Sequence, residues 1–428
     1  MIGSRLVAGK KAGMVTRIPA GFVRLENSIT SPMSDRRPSI AVLVAMSALG
    51  PLALNIFMPS MPGLAQQFEV EYGTVQLTLT LYLIGLSLAQ LVYGPLSDRH
   101  GRRPVLLWGL ILFLAGSLIC TFAPSIEVLM VGRMLQAIGG CAGLVLGRAM
   151  VRDLFDRDRS AAMIGYVTMA MTLAPMLAPA LGGYLDIWLG WRSSFAFCSI
   201  AGAGVMLWVA LVLPETLAAR GGGEGFAGLL RGYRDLLRSP AFCGYALQTA
   251  FTSGVFFAFI AGAPFVVVTV LGLPPSSYGL WFVVVSAGYL AGNFLTGRFS
   301  VRFGVDRMIA AGATIALLGI AAQAVIGWLG LLSLPAIFLP MAIVALSNGL
   351  TLPNGTAGAV SVNPRAAGAA AGLSGALQML IGAAAAVLVG YGQDFDPSQY
   401  PMIWTMMASG VLAVLSFLVA TRFRRPGE

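Results

Sequence analysis

The chain has 428 residues, of which 57% are hydrophobic and only 10% are charged, and its formal net charge is +10. Soluble domains carry roughly 25% charged residues, so this composition excludes an ordinary soluble enzyme or binding domain. Apolar segments of about 20 residues, the length that crosses a bilayer as a helix, recur from Ile40 to Ala420. The sequence therefore predicts an all-α membrane protein.

Twelve transmembrane helices are predicted. Arginines concentrate in the links after even-numbered spans and in both tails, whereas acidic residues concentrate in the opposite links. By the positive-inside rule, both termini and the long central loop are expected to be cytoplasmic. The positive net charge is therefore interpreted as a topology signal, and no nucleic-acid partner is expected. The predicted spans are 40–58, 74–96, 105–122, 128–148, 161–184, 194–213, 241–265, 278–297, 307–328, 335–353, 367–389 and 402–421.

Two pseudo-symmetric six-helix bundles are predicted. Residues 1–39 form a basic tail that is expected to be disordered, and Met33 would make an ordinary start, so expression of residues 1–32 is left open. The N-terminal bundle covers 40–213, a central cytoplasmic loop covers 214–240, the C-terminal bundle covers 241–421, and a short tail covers 422–428. Two parallel six-span halves are typical of one common transporter architecture.

The link after the second span, GPLSDRHGRRPVLL, has a weaker copy, GRFSVRFGVDRMI, at a constant offset of 203 residues. Glycine allows a tight turn between closely packed helices. Asp98 could accept hydrogen bonds from the N-terminus of another helix or pair with an arginine. With Arg102 and Arg103 it could latch the cytoplasmic side of one bundle against the other, and the alternative is a solvated basic loop. The proposed gating residues are Gly94, Asp98, Arg99, Gly101, Arg102 and Arg103.

The fourth span contains Arg133. An arginine inside a span costs about 2.5–3.5 kcal/mol on insertion scales, so it must face a polar cavity, pair, or snorkel to the interface. Gln136 follows nearly one turn later and is expected to share its face. These two residues are candidates for coupling transport to its energy source or for lining a polar cavity.

The fifth span carries Pro175, Pro179, Gly182 and Gly183. Proline removes a backbone donor and kinks a helix, and glycine allows close contact with a neighbour. The pattern fits either a kinked packing helix or a hinge that seals the closed cavity.

The central loop contains an amphipathic stretch, FAGLLRGYRDLLR, which either lies on the membrane surface or serves as a simple tether. Polar and aromatic residues within the spans are candidate substrate contacts, although buried amides may equally join helices. Asn55, Gln248, Phe251, Asn348 and Gln378 are the substrate-binding candidates.

Several segments together resemble one family. The spacing G-x-x-x-D-R-x-G-R-R from Gly94 is similar to the loop signature of the major facilitator superfamily. LNIFMPSMP at 54–62, GRMLQAIGG at 132–140, GRAMVRDLF at 147–155, LAPMLAPALGGYL at 173–185 and AGAAAGLSGALQ at 367–378 resemble its bicyclomycin- and chloramphenicol-resistance (Bcr/CflA-like) branch. The resemblance implies a multidrug efflux transporter that exchanges drug for protons by alternating access.

The resemblance also assigns roles to residues. It places Arg133 in the proton-coupling apparatus and Pro175 to Gly183 in an antiporter motif, with Ala174 and Ala178 at its usual glycine positions. Exporters of this branch often carry an acid in the first helix, but here Asn55 holds that position and no predicted span has an interior acid. Proton coupling would then fall on Asp98, Asp153 or another group. Substrates are expected to be neutral or weakly anionic amphiphiles facing Arg133.

The expected function is therefore export of small amphipathic drugs or toxins across the inner membrane by a monomeric, non-enzymatic antiporter in the lipid bilayer. The alternative is a dedicated exporter of one metabolite or signal molecule. A membrane-embedded enzyme is less favoured, because no catalytic constellation is visible within the spans. No cofactor is expected, and the single histidine and the scattered cysteines do not provide the ligands of a metal site.

Overall fold

The computed structural model describes residues 40–154, 174–217, 225–363 and 366–423, and these residues form helices joined by short turns. A 3₁₀ turn at Met58–Ser60 follows the first helix, and a π-helical turn at Val266–Val270 follows the ninth. The helices are α1 Ile40–Ile56, α2 Met61–Gln67, α3 Tyr72–His100, α4 Arg102–Thr121, α5 Ile126–Leu154, α6 174–189, α7 Arg192–Val212, α8 Gly225–Leu237, α9 Pro240–Phe265, α10 Pro275–Phe303, α11 Val305–Trp328, α12 Leu334–Ser361, α13 Ala367–Phe395 and α14 Tyr400–Phe423.

Within the described residues, 11 helices are long and apolar enough to cross a membrane. They correspond to every predicted span except the fifth. Only the second part of that span is described, as α6. The predicted tail at 1–39 and residues 424–428 of the predicted tail at 422–428 also lie outside the described residues, whereas residues 422 and 423 belong to α14. The predicted all-α membrane fold is confirmed.

Several helices are longer than the predicted spans. The second predicted span, 74–96, is helical from Tyr72 to His100, and the eleventh, 367–389, continues to Phe395. Hydropathy detects only the apolar part of a helix, so polar turns at either end are assigned to loops. The prediction that Gly94 to Leu107 form a loop between two spans is wrong, because every residue of this segment except Gly101 is helical.

The internal repeat is preserved where the chain reverses direction. Gly101 ends α3 and begins α4 with φ of 100°, and Gly304 ends α10 and begins α11 with φ of 83°. Side chains other than glycine rarely adopt such backbone angles. These two turns lie at the same end of the antiparallel helices, called here the Gly101 end. The opposite end is called the Asp394 end, after a residue in the last turn of α13.

Close helix packing stabilises each half. A Cβ atom on Gly116 of α4 would lie 2.7 Å from the Gly132 carbonyl oxygen of α5, and one on Gly139 would lie 2.6 Å from the Cα atom of Phe113. The two backbones therefore touch directly, as small residues permit in membrane helices. The second half is built by contacts of α9 with α14 and of α12 with α10 and α11. Helix α3 packs lengthwise on α13 and joins the halves.

The amphipathic stretch of the central loop forms α8, which contacts α9, α13 and α3. Its Leu236 is buried in a small core at the Gly101 end, whereas Leu230 and Leu237 are exposed beside exposed arginines. The helix is therefore docked on the second half and is more than a simple tether. Its exposed leucines remain compatible with the predicted position at a membrane surface.

Candidate functional site

The predicted gating motif lies at the turn between α3 and α4. Gly101 makes the turn, but Gly94 does not. It lies inside α3, and no atom outside its own helix is within 4 Å of a Cβ built on it. The prediction that Gly94 contributes to the tight turn is therefore wrong, because α3 continues for six residues beyond it. The Arg99 side chain is exposed at the end of the same helix.

Arg102 is the centre of this motif. Its guanidinium lies 2.6 Å from a carboxylate oxygen of Asp98 and donates through Nε to Asp153 at 3.0 Å. Asp153 lies in the last turn of α5, so the network ties α3, α4 and α5 together. All of these contacts are within the first half, and among the described residues Asp98 does not reach the second half. The latch between bundles remains a prediction for a different state.

Glu215 completes the motif and was not identified from the sequence. Its carboxylate accepts from the backbone N–H groups of Arg102 at 2.9 Å and Arg103 at 3.3 Å, at the start of α4. It also accepts from the N–H groups of Thr216 and Leu217. A carboxylate at a helix N-terminus satisfies orphan donors and interacts favourably with the helix dipole. The acid directly follows Pro214 after the sixth span, a position that could have drawn attention to it.

Arg133 is fully buried in the first half, with 0% of its surface exposed. The guanidinium lies 4.1 Å from the centres of both the Phe57 and the Tyr82 rings. It donates to the Ala53 carbonyl oxygen at 3.0 Å, while its Nε and Nη2 atoms have no hydrogen-bond partner. The snorkelling alternative is therefore excluded. In this state the side chain is enclosed by its own bundle and does not face the cleft between the halves.

Gln136 shares this buried cluster with Arg133. Its Oε1 accepts from Arg133 Nη1 at 2.5 Å, and its Nε2 donates to the Ser117 hydroxyl of α4 at 2.8 Å. The i, i+3 spacing places the two side chains on one face of α5, as expected from helix geometry. The aromatic partners Phe57 and Tyr82 were not predicted, because they come from the residue that follows α1 and from α3.

The proline- and glycine-rich segment of α6 lies between α1 and α10. A Cβ on Gly182 would overlap the Ile56 carbonyl group, and one on Gly183 would lie 2.8 Å from the Cα atom of Ser276. Pro179 is buried, and its carbonyl oxygen lies against Gly279 of α10. Pro175 is half-buried near the beginning of the described part of the helix. The segment thus joins the two halves at the Asp394 end.

The amide candidates for substrate binding are separated in space. Asn55, Gln248 and Asn348 are each at least 98% buried, and each has a side-chain oxygen without a hydrogen-bond partner. Gln248 donates to the Thr252 hydroxyl at 3.0 Å, and Thr252 and Asn348 both line a cavity of about 10 Å³ inside the second half. These amides are enclosed within the bundles in this state and do not form one ligand-facing surface.

The remaining two candidates are partly accessible. Gln378 accepts a hydrogen bond from the Ser253 hydroxyl at 3.1 Å, and both it and Phe251 are half-buried. Nearby, Ser87 of α3 donates to the Ala376 carbonyl oxygen of α13 at 3.0 Å. Gln378 therefore lies close to the seam between the halves.

Arg148 is a further charged residue of the cleft that sequence reasoning did not single out. It lies in α5 with an exposed side chain, and it acts electrostatically on Tyr289 in the middle of α10. Since α5 and α10 belong to different halves, this charge is close enough to act from the first half on the second. No cluster of histidine, cysteine or acidic residues within the described parts of the chain could hold a metal ion.

Comparisons with known proteins agree with this architecture. The family model described as Major Facilitator Superfamily matches residues 43–387. Multidrug resistance protein D of Escherichia coli (strain K12) is 30% identical over 390 residues, which cover 91% of this chain and 97% of that protein. A bicyclomycin resistance protein homolog of Haemophilus influenzae is 30% identical over 389 residues, which cover 89% and 96%.

A solved structure shares the fold. The crystal structure of a bacterial homolog to the human lysosomal transporter Spinster, in an inward-facing and unoccupied conformation, superposes with a TM-score of 0.70. It is 20% identical and covers 91% of this chain and 98% of its own. The family resemblance inferred from the sequence motifs is confirmed by the family model and by the two resistance proteins. This multi-pass membrane protein belongs to the major facilitator superfamily of transporters, which are not enzymes.

Proposed function

We propose that this chain exports small amphipathic drugs across the inner membrane in exchange for protons, by alternating access. The names of the multidrug and bicyclomycin resistance relatives support the substrate class. The Gly101 end carries the arginine-rich motif and the basic helix α8, so the positive-inside rule makes it the cytoplasmic end. The Asp394 end is then the outer side.

One observation carries this proposal, namely that the two ends of the molecule differ. At the outer end, Gly183 and Ser276 bring the two halves into backbone contact. At the cytoplasmic end, the ion pairs of Arg102 with Asp98 and Asp153 stay within the first half. A transporter that exposes its cleft to one side at a time requires this asymmetry.

The charge of the cleft favours neutral or weakly anionic substrates. Asn55, at the position where related exporters often carry an acid, is buried and cannot ionise. Arg133 is enclosed within its bundle, so the charge that meets the substrate comes from the exposed Arg148. A cation facing a low-dielectric cleft attracts anions and repels cations.

Protons are the proposed driving ion, and the proposed site of coupling is Asp98, Asp153 or another group. Both carboxylates contact the same guanidinium, that of Arg102. Neutralising one carboxylate changes the balance of charge around Arg102 and therefore the position of α3 relative to α5. Helix α3 contacts the second half at the outer end and carries Asp98 of the gating motif at the cytoplasmic end. This one helix can therefore transmit the change.

The test is drug susceptibility of a sensitised host that expresses the chain, with and without an uncoupler of the proton gradient. We expect protection against several unrelated amphipathic compounds and loss of that protection on uncoupling. Arg133→Ala, verified as folded in the membrane, is expected to abolish protection. Unchanged susceptibility across chemically diverse compounds would instead favour the exporter of a single metabolite or signal.

Arg148→Ala tests the proposed substrate charge. We expect export of weakly anionic compounds to fall roughly tenfold relative to export of neutral compounds of similar size, since one attractive charge at an effective dielectric constant near 20 contributes more than 1 kcal/mol at close range. Initial rates of export into membrane vesicles are measured for the weakly anionic and for the neutral compounds. Arg148→Lys keeps the charge and should keep the preference. An equal fall in the export of weakly anionic and of neutral compounds would contradict a role of Arg148 in selecting substrates by charge.

A further inference from the structure

A carboxylate from one half holds the first turn of a helix in the other half. Asp394, in the last turn of α13, accepts from the backbone N–H of Gly73 at 2.9 Å and 3.2 Å through its two oxygens. Gly73 is the second residue of α3, whose N-cap residue, Glu71, makes no capping hydrogen bond with its own side chain. An orphan donor at the positive end of a helix is thus satisfied from across the interface.

Two neighbouring side chains of α3 also bond to the second half. The Tyr72 hydroxyl donates to the Ala261 carbonyl oxygen of α9 at 2.9 Å, and Gln76 Nε2 donates to the same oxygen. The first turns of α3 are therefore fixed to α13 and α9 by directional hydrogen bonds as well as by apolar packing. Bonds of this kind are lost completely when two surfaces separate by a few ångströms.

The close approach of the helices depends on glycine. A Cβ on Gly73 would overlap the Asp394 carboxylate and lie 3.1 Å from Cδ1 of Tyr391, while one on Gly390 would lie 2.7 Å from Cγ of Gln76. These positions leave no room for a methyl group between α3 and α13. The carboxylate contact and the helix packing therefore form together and break together.

The same two helices remain in contact further along their length. Ser87 of α3 donates to the Ala376 carbonyl oxygen of α13, and a Cβ on Gly375 would lie 2.5 Å from Gln90 Oε1. At the cytoplasmic end Asp98 bonds within its own half, so the carboxylate contact from α13 to α3 lies at the outer end.

We propose that Asp394 is the outer latch of the transport cycle: its carboxylate holds α3 against α13 while the outer side is closed, and release of this contact opens the outer side. The proposal rests on the alternating-access function proposed above. Asp394 acts as a positioning residue, since it contacts the backbone of α3 and has no assigned role in binding the drug.

Electron–electron distance measurements on the purified full chain in lipid nanodiscs test the latch. Spin labels on Gly63→Cys in α2 and Leu331→Cys between α11 and α12 report the separation of the halves at the outer end, because both sites are exposed. Replacing Cys243 by alanine leaves Cys120, Cys141 and Cys198, which are buried. The variants are Asp394→Ala, Asp394→Asn and Gly73→Ala.

We expect Asp394→Ala and Gly73→Ala to raise the ratio of long to short outer distances by roughly tenfold, the upper range for a charge at a helix terminus. Asp394→Asn keeps one acceptor oxygen and should give a smaller rise. The matched control is Asp396→Asn, which makes the same charge change at an exposed residue two positions further on. It should leave the distances unchanged.

Unchanged outer distances in both Asp394→Ala and Gly73→Ala would overturn the latch, as would an equal change in Asp396→Asn. If Asp394→Ala fails to fold, Gly73→Ala decides the question alone. The export assay on the same variants separates this proposal from the proposed function. A shift in distances without any export by the unmodified chain would support the latch and contradict the drug-export function, whereas export without a shift would do the reverse.

Discussion

At the scale of single residues, the environment of Arg133 is the most informative. A buried guanidinium normally needs a carboxylate, but here the centres of two aromatic rings each lie 4.1 Å from it. Cation–π contacts in desolvated sites contribute about 2 kcal/mol each, comparable to the insertion cost of an arginine. The rings therefore stabilise a charge that has no anionic partner among the described residues.

We expect Arg133→Met to abolish export while leaving the melting temperature unchanged or higher. Methionine fills a similar volume, and removing a buried charge that lacks a carboxylate partner relieves its desolvation cost. Arg133→Lys keeps the charge but loses the planar group that stacks between Phe57 and Tyr82, so it should lower both stability and export. Fluorescence-monitored thermal unfolding and vesicle transport measure the two effects.

Full export by Arg133→Met would exclude a coupling role for this residue. A large fall in melting temperature would show that its role is structural.

The sequence predicted that Arg133 and Gln136 share a face, because that follows from helix periodicity alone. It left open whether the arginine faces a polar cavity, pairs with another group or snorkels to the interface. The choice depends on Phe57, which follows α1, and on Tyr82 of α3, which only tertiary packing brings together. Asn55 and Asn348 illustrate the same limit. Their positions within spans were predictable, but whether an amide faces the cleft or its own bundle depends on the rotation of the whole helix.

At the scale of elements, the turn between α3 and α4 shows how a charge and a backbone angle act together. Gly101 adopts a left-handed φ, and a Cβ there would lie 2.5 Å from Glu215 Oε2. The turn therefore requires glycine for its conformation and for the space that the carboxylate occupies. Glu215 then ties the segment after α7 to the start of α4.

We expect Glu215→Ala to lower the free energy of unfolding by about 1–2 kcal/mol, the upper range for loss of a helix cap. Glu215→Gln keeps an acceptor oxygen and should cost less. The control is Glu127→Ala, which removes an exposed acid from the first turn of α5 and should cost no more than a few tenths of a kcal/mol. Denaturant titration in mild detergent compares the three variants.

If Glu215→Ala and Glu127→Ala lower the free energy of unfolding equally, the Glu215 contacts contribute little to stability. The role of this glutamate was not predictable from the sequence, because its partners in α4 lie 113 and 112 residues away along the chain. The 11 apolar spans found among the described residues were predictable, since each depends only on local composition.

At the scale of the whole molecule, contacts between the halves are concentrated at the Asp394 end. Tyr72 and Gln76 of α3 both reach α9 there, and the 3₁₀ turn at Met58–Ser60 contacts α9 and α10. The repeat at an offset of 203 residues predicted two related halves, and the structure places its two glycines in equivalent turns. Which end holds these contacts was not predictable, because they join residues that are 189 and 185 positions apart along the chain.

We expect cysteines introduced at Gly94 and Gly368 to react with a membrane-impermeant thiol reagent from the cytoplasmic side only. Neither position has an atom outside its own helix within 4 Å of the added Cβ, so a reagent has access in the state described. Both variants carry Cys243→Ala, because Cys243 is not fully buried, and the native, buried Cys141 should remain unlabelled as the internal control. Labelling in inside-out and right-side-out vesicles gives the comparison.

Labelling of Gly94→Cys from the outer side, or no labelling from either side, would contradict the cytoplasmic opening. In Asp394→Ala the cytoplasmic labelling should decrease, since opening of the outer side is expected to close the opposite side.

The backbone contacts of α4 with α5 at Gly116 and Gly139 have a mechanical consequence. Neither helix can slide along the other without steric overlap, so any tilt of the first half would carry α4 and α5 together as one rigid unit. Helix α5 has 29 residues and is ~43 Å long, so a tilt of about 10° at one end displaces the other by ~7 Å. A displacement of that size is comparable to the width of a small aromatic molecule, and modest changes at one membrane face are thereby amplified at the other.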